Sequence, residues 1–218
     1  MIIGITGGIG SGKSTIARAL AARGFAIYEC DKEAKRIIAE NKEVQQQIIA
    51  LFGEKAFVNG VYNTQYISQC VFSASPLGEE GKGLAALNSI VHPAVKEDIL
   101  QRSCPVATRS YSEAVLQAQP VLFIESAILY EAGLDEICDR IIMVEAPEDV
   151  CIARTIQRDY NGEATEENIN KVRARIQAQK KAFSHQTSDV RRQLSVYNDG
   201  KASIEELVEK ITLWMWKN

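Results

Sequence analysis

Apolar residues fall along this chain in two spacings, and the switches between them predict its elements. Short stretches rich in apolar residues at 1–6, 25–28, 121–125, 140–145 and 194–197 read as five strands, the first of them buried. Residues 13–23 take helical spacing instead, with Ile16, Ala17, Leu20 and Ala21 on one face and Gly24 as the stop. From 32 to about 119 the pattern is mainly helical. Ala34, Ile37 and Ile38 form one stripe, and Val44, Ile48, Ile49 and Phe52 form another that Gly53 closes. Residues 66–72 and 84–91 read as short helices. The second should end at His92-Pro93, since the residue before proline is pushed out of the α region. Residues 94–116 are helical on both sides of a break near Pro105. Asn59-Gly60 marks a turn, and no strand is expected in this region. A stretch of this length exceeds an ordinary βα connection and reads as an inserted helical subdomain.

After the fourth strand, Pro147 suits the first turn of a helix reaching Asp159, with Glu148 and Asp149 at its positive dipole end. Residues 159–189 are polar and charged. Arg173, Arg175, Lys180 and Lys181 lie there in a helical stretch with no strong apolar stripe. Ser203-x-x-Glu206 is a capping box. It opens a last helix whose core face is Ile204, Leu207, Val208, Ile211 and Trp214. Strands alternating with helices imply an α/β fold with a parallel sheet. Ligands in such sheets sit beyond the carboxyl ends of the strands. Those ends carry a glycine-rich loop, Glu29 and Asp31, Glu125, Glu145 and Asn198.

Composition narrows the function. The 218 residues are 46% hydrophobic, enough for a proper core, and the net charge of −3 leaves no basic footprint for nucleic acid. No stretch approaches a membrane span, and the first residues lack the pattern of a signal peptide. Cys30, Cys70, Cys104, Cys138 and Cys151 are scattered with no Cys-x-x-Cys pair. The expectation is reduced, packed thiols in a cytoplasmic protein.

The loop itself reads Gly7-Gly-Ile-Gly-Ser-Gly-Lys-Ser14, which fits the phosphate-binding pattern Gly-x-x-x-x-Gly-Lys-Ser/Thr between a strand and a helix. Gly8, Gly10 and Gly12 let the backbone close on phosphate oxygens, and Ser11 continues the same nest of N–H groups. The following helix adds its dipole. Lys13 reaches the β- and γ-phosphates, Ser14 suits Mg²⁺, and Thr15 is placed for the α-phosphate. The Leu-Ser-Gly-Gly-Gln-like signature of transporter ATPases is absent. Asn41-Lys42-Glu43 does not complete the Asn-Lys-x-Asp of a GTPase. The expected architecture is a P-loop NTPase-type sheet. Its core is 1–31, 120–158 and 190–218, its acceptor-binding insertion is 32–119, and its lid is 159–189.

Further stretches, in order, resemble one family: Cys30-Asp31 with Ala34-Lys35, Leu87-Asn88-x-x-Val91-His92-Pro93, Ile128-Leu129-Tyr130-Glu131, Arg154-x-x-x-Arg158-Asp159, Gln179, and Asn198-Asp199-Gly200. Together with the loop from Thr6 to Ser14 they look like dephospho-CoA kinase. The resemblance implies a five-stranded parallel core, a helical CoA-binding domain and a lid. It also implies ATP-dependent phosphorylation of the 3′-hydroxyl of dephospho-CoA, the last step of coenzyme A synthesis, with ATP and Mg²⁺. The chain departs from the family where Lys35 replaces an arginine, where Ala127-Ile128-Leu129 replaces Pro-Leu-Leu, and at Thr64. The readings left open beside this one are another small-molecule or nucleotide P-loop kinase, and a regulatory protein that binds ATP without transferring phosphate. The expected state is a monomer with no nucleic-acid or membrane partner.

Each candidate carries two readings. Asp31 is the candidate general base, or else a helix N-cap. Glu125 organises Mg²⁺, or faces solvent at a strand end. Arg154 and Arg158, one helical turn apart, contact the transferring phosphate, or Arg158 pairs with Glu163. Lys35 and His92 are acceptor-site candidates through the resemblance, while a lone histidine before proline is also an ordinary helix-end residue. Asn198 and Gly200 stand where backbone groups could touch adenine, or simply form a turn after the last strand. His185 has no functional reading.

Overall fold

The computed structural model describes residues 1–72, 82–103, 121–183 and 192–216, and two compact units divide the chain. The first comprises Met1–Glu29 and Pro105–Asn218. Its strands are β1 (Ile2–Gly7), β2 (Ala26–Glu29), β5 (Leu122–Glu125), β6 (Arg140–Glu145) and β7 (Gln193–Tyr197). They form one parallel sheet in the order β2-β5-β1-β6-β7. β1 is therefore central, and all six of its residues are buried. That double burial is why it shows no alternation of apolar and charged positions.

Among the described residues, this unit also holds the helices α1 (Lys13–Ala22), α6 (Glu148–Asp159), α7 (Glu166–Phe183) and α8 (Ile204–Met215). Ile16, Ala17 and Leu20 of α1 and Leu207, Val208, Ile211 and Met215 of α8 pack with Ile3, Ile5, Phe123, Ile142, Val144 and Val196 of the sheet. Ala21, expected on that face, is exposed. The capping box at Ser203 and Glu206 is formed as the spacing predicts. Pro147 stands one position earlier than expected, as the N-cap of α6 with ψ of 147°.

Residues 159–183, the described part of the polar stretch 159–189, carry more apolar structure than their composition suggests. Val172 and Ile176 of α7 are buried against Cys151 and Ile156 of α6, with Ile169, Ile152 and Ile9 at the edge. The spacing 169, 172, 176 is a narrow helical seam, easily lost among the charged residues around it.

The second unit is Cys30–Cys104. It contains α2 (Cys30–Glu40), α3 (Lys42–Phe52), α4 (Thr64–Phe72) and α5 (Lys82–Ser103). Its core includes Ile37, Ile48, Phe52, Ile67, Val95 and Ile99. Arg36 pairs with Glu33 at 2.6 Å and with Asp98 at 2.9 Å, and Arg102 pairs with Glu33 at 2.7 Å, clamping α2 to α5.

Two expectations fail in this unit. A hairpin is present: β3 (Phe57–Val58) pairs antiparallel with β4 (Val61–Tyr62). Asn59 and Gly60 both have positive φ, 51° and 78°, as a two-residue hairpin turn requires. Two-residue strands are too short to show an alternating pattern. The helix over 84–91 also does not stop at His92-Pro93, because α5 runs through Pro93. Val91, Val95 and Ile99 are buried on both sides of the proline, and this continuous packing outweighs one missing backbone donor. The expected break near Pro105, Cys104 and His185 lie outside the described residues.

Cys30, Cys70, Cys138 and Cys151 are free thiols. Burial pushes the Cys138 thiol up to about 12, which makes it an inert packing residue. Among the described residues, no helix is long and apolar enough to cross a membrane.

Candidate active site

The loop between β1 and α1 is built from glycines that the backbone geometry demands. Gly10 and Gly12 have φ of 74° and 94°, a region that L side chains avoid. Space excludes a side chain as well. A Cβ on Gly10 would lie 2.3 Å from the Cys151 carbonyl oxygen, and one on Gly12 would lie 2.2 Å from Asn198 Nδ2. Gly12 is also the N-cap of α1, so no side chain caps that helix, and no acid stands in its first turn. The helix thus presents N–H groups and a positive dipole end that an anion fits.

Lys13 bends back over the loop, with Nζ 3.5 Å from the Gly8 carbonyl oxygen. Ser14 Oγ donates to Glu125 Oε1 at 3.2 Å. Sheet register explains this meeting. β5 lies beside β1 with Glu125 opposite Ile5, so its carboxylate ends just below the loop, where it is buried. Glu29, at the end of β2, is in register with Glu125 on the other side. Ser14, Arg18, Ile27, Glu29 and Glu125 line a hollow of about 270 Å³. Thr15 is exposed, with Arg18 Nη2 3.5 Å from its Oγ1.

Two residues brace the loop from the far side. Arg154 donates from Nη1 to the carbonyl oxygens of Asn198 at 3.1 Å, Ser11 at 3.4 Å and Gly10 at 3.5 Å. Its Nη2 donates to Asn198 Oδ1 at 3.3 Å. Asn198 in turn donates from Nδ2 to the Ser11 carbonyl oxygen at 2.9 Å, and its backbone N–H donates to Glu145 at 2.7 Å. The Asn198 side chain therefore ties the end of β7 to the loop, a role that neither sequence reading gives it. Gly200 follows in the turn, with φ of 88°. The Ser11 hydroxyl is buried and has no partner among the described residues.

Arg158 does not share the partners of Arg154, although it stands one turn away. It pairs with Asp159 at 2.6 Å, where the sequence suggests Glu163, and Arg175 of α7 pairs with the same carboxylate at 3.0 Å. These guanidinium groups, Arg158 first, hold the Asp159 carboxyl down at about 2. A depressed carboxyl contributes stability that is complete above its unfolded value and is lost as pH falls through the folded value. The Asp159→Asn variant should therefore melt below wild type at pH 5, and the gap should close as pH falls from about 4 toward 2. A pH series of melting temperatures checks this.

In the second unit, α2 starts at Cys30, so Asp31 lies exposed in the first turn of the helix and not at its N-cap. Lys35, also exposed, follows one turn later on the same face. His92 is half-buried within α5, and burial lowers its pKa.

The donor set at the loop suits a hard cation. Ser14 and Glu125 offer oxygen ligands, and the described residues contain no cluster of three or more His, Cys, Asp or Glu that would hold a metal alone. Mg²⁺ fits such a site, because it keeps most of its shell as water and phosphate oxygen.

Known proteins fit this arrangement. A family model described as dephospho-CoA kinase matches residues 1–200. A dephospho-CoA kinase of Porphyromonas gingivalis is 37% identical over 163 residues, covering 75% of this chain and 72% of that protein. One of Fusobacterium nucleatum is 33% identical over 214 residues, covering 97% and 95%. The solved structure of a dephospho-CoA kinase from Campylobacter jejuni shares the fold, with a TM-score of 0.63 at 18% identity, covering 98% of this chain and 96% of that one. By sequence over nearly its whole length, and by a parallel sheet built around a glycine loop, this chain belongs to the dephospho-CoA kinase family.

Proposed function

We infer that this chain phosphorylates the 3′-hydroxyl of dephospho-CoA with ATP, the last step of coenzyme A synthesis. The observation that carries this reading is the uncapped N-terminus of α1 behind the glycine loop, with Lys13 folded over it and Ser14 paired with Glu125. The loop N–H groups and Lys13 bind the triphosphate and take up charge that develops on the moving phosphoryl group. Ser14 and Glu125 would hold Mg²⁺, which would supply positive charge against the triphosphate. Asp31 accepts the proton of the ribose hydroxyl. Lys35 and His92 serve the acceptor, and residues 159–189 act as a lid. Arg154 braces the loop and, with Arg158, serves the phosphoryl group. Asn198 and Gly200 border the adenine. The family's acceptor chemistry favours this over another metabolite kinase, and a Ser14–Glu125 pair suited to Mg²⁺ favours transfer over silent ATP binding. Free thiols and a net charge of −3 support a cytoplasmic protein with no nucleic-acid partner, which we read as a monomer.

The test is ADP release with ATP and Mg²⁺, with and without dephospho-CoA. Release that requires dephospho-CoA and yields 3′-phosphorylated product is the expected result. Release that is equal without the acceptor, or that needs a nucleoside instead, overturns it.

A further inference from the structure

The loop residue Ile9 is held in two ways from outside the strand and helix that flank it. Its side chain packs at the edge of the apolar seam of α6 and α7, beside Cys151, Ile156, Val172 and Ile176. Its backbone N–H donates to Gln179 Oε1 at 2.7 Å, across 170 residues of sequence. Gln179 continues the seam, since 169, 172, 176 and 179 share one face of α7. It is half-buried at the point where that seam reaches the loop. A short hydrogen bond from a loop N–H to a side-chain oxygen is what a nest of amides makes with an anion's oxygen. Gln179 supplies that oxygen without a charge.

We propose that Gln179 is a positioning residue for the nucleotide: by accepting from Ile9 N–H it sets the open side of the loop and links α7 to the occupancy of the phosphate site. This rests on the loop being the phosphate site of ATP. Neutrality is the reason for an amide. A carboxylate would accept the same hydrogen bond but would repel the triphosphate, and an apolar side chain would leave the N–H unheld. Lys180, the next residue, turns away to pair with Glu148 at 2.8 Å, which also orients α7 along α6.

Two variants separate positioning from packing. Gln179→Met keeps length and bulk but removes the acceptor. It should raise the KM for ATP about three- to tenfold, the worth of one hydrogen bond, while the KM for dephospho-CoA and the melting temperature stay near wild type. Gln179→Glu keeps the acceptor and adds charge. It should weaken ATP more than Gln179→Met does, more strongly for ATP than for ADP, with the difference shrinking as salt is raised. An unchanged KM for ATP in Gln179→Met overturns the proposal, as does equal loss for ATP and dephospho-CoA in both variants. Lys13→Ala, run alongside, separates this failure from failure of the site itself. If Lys13→Ala retains wild-type ATP affinity and turnover, the loop is not the phosphate site and both readings fall. If it is impaired while the Gln179 variants are not, only the role of Gln179 falls.

Discussion

Replacing Lys13 with alanine should lower kcat/KM about 10²–10³-fold, with most of the loss in kcat, while the protein remains folded. The magnitude is that of removing one preorganised charge from a transition state that develops negative charge. Lys13 is suited to this because the loop fixes it. Its stem rises from the first residue of α1, and its ammonium sits over the loop at the Gly8 carbonyl. Since α1 buries Ile16, Ala17 and Leu20 and not Lys13, the substitution leaves the core intact. A loss confined to KM would mean that Lys13 binds ground state and transition state alike. Steady-state kinetics with a melting curve as the folding control read both quantities.

Asp31→Asn should lower kcat by about 10²-fold and leave the KM for ATP near wild type. A positioned base contributes about 10²–10⁴-fold in general. The low end applies here, because phosphoryl transfer passes through a loose transition state in which the attacking hydroxyl is little bonded. Asparagine keeps the shape and a hydrogen bond but cannot take the proton. Wild-type turnover in this variant would remove Asp31 from the chemistry and leave it as an acidic residue in the first turn of α2, where it favours the helix dipole.

What could be read from the residues alone followed from how local each signal is. The strands were legible because a strand buried on both faces is an apolar run, and β1, β5 and β6 are such strands. The phosphate loop was legible because its glycines answer a local backbone demand, which the positive φ at Gly10 and Gly12 makes visible. Ser14 and Glu125 could each be picked out from the motif and a strand end, but their direct hydrogen bond could not. Other features depend on distant parts of the chain and leave no local trace. Asn198 reads as a turn residue, yet its side chain holds the Ser11 carbonyl because β7 is in register with β6. Arg154 and Arg158 look equivalent by spacing. They differ because the loop lies against one, while an acidic neighbour captures the other. Pro93 was misread as a boundary, since the packing of Val95 and Ile99 beyond it cannot be seen from the dipeptide.

The strand order has a consequence for how the protein comes to be. The phosphate loop leaves β1, and both neighbours of β1 come from far along the chain, at Leu122–Glu125 and Arg140–Glu145. During synthesis, therefore, β1 is made before its sheet partners and waits for strands more than a hundred residues further along the chain. At ordinary ribosomal speeds that wait is on the order of ten seconds. The second unit, compact within Cys30–Cys104, can assemble in that interval. The loop that follows β1 is thus made before the strands that frame it and takes shape late, and until then the run Ile2–Gly7 is an unpaired strand open to aggregation.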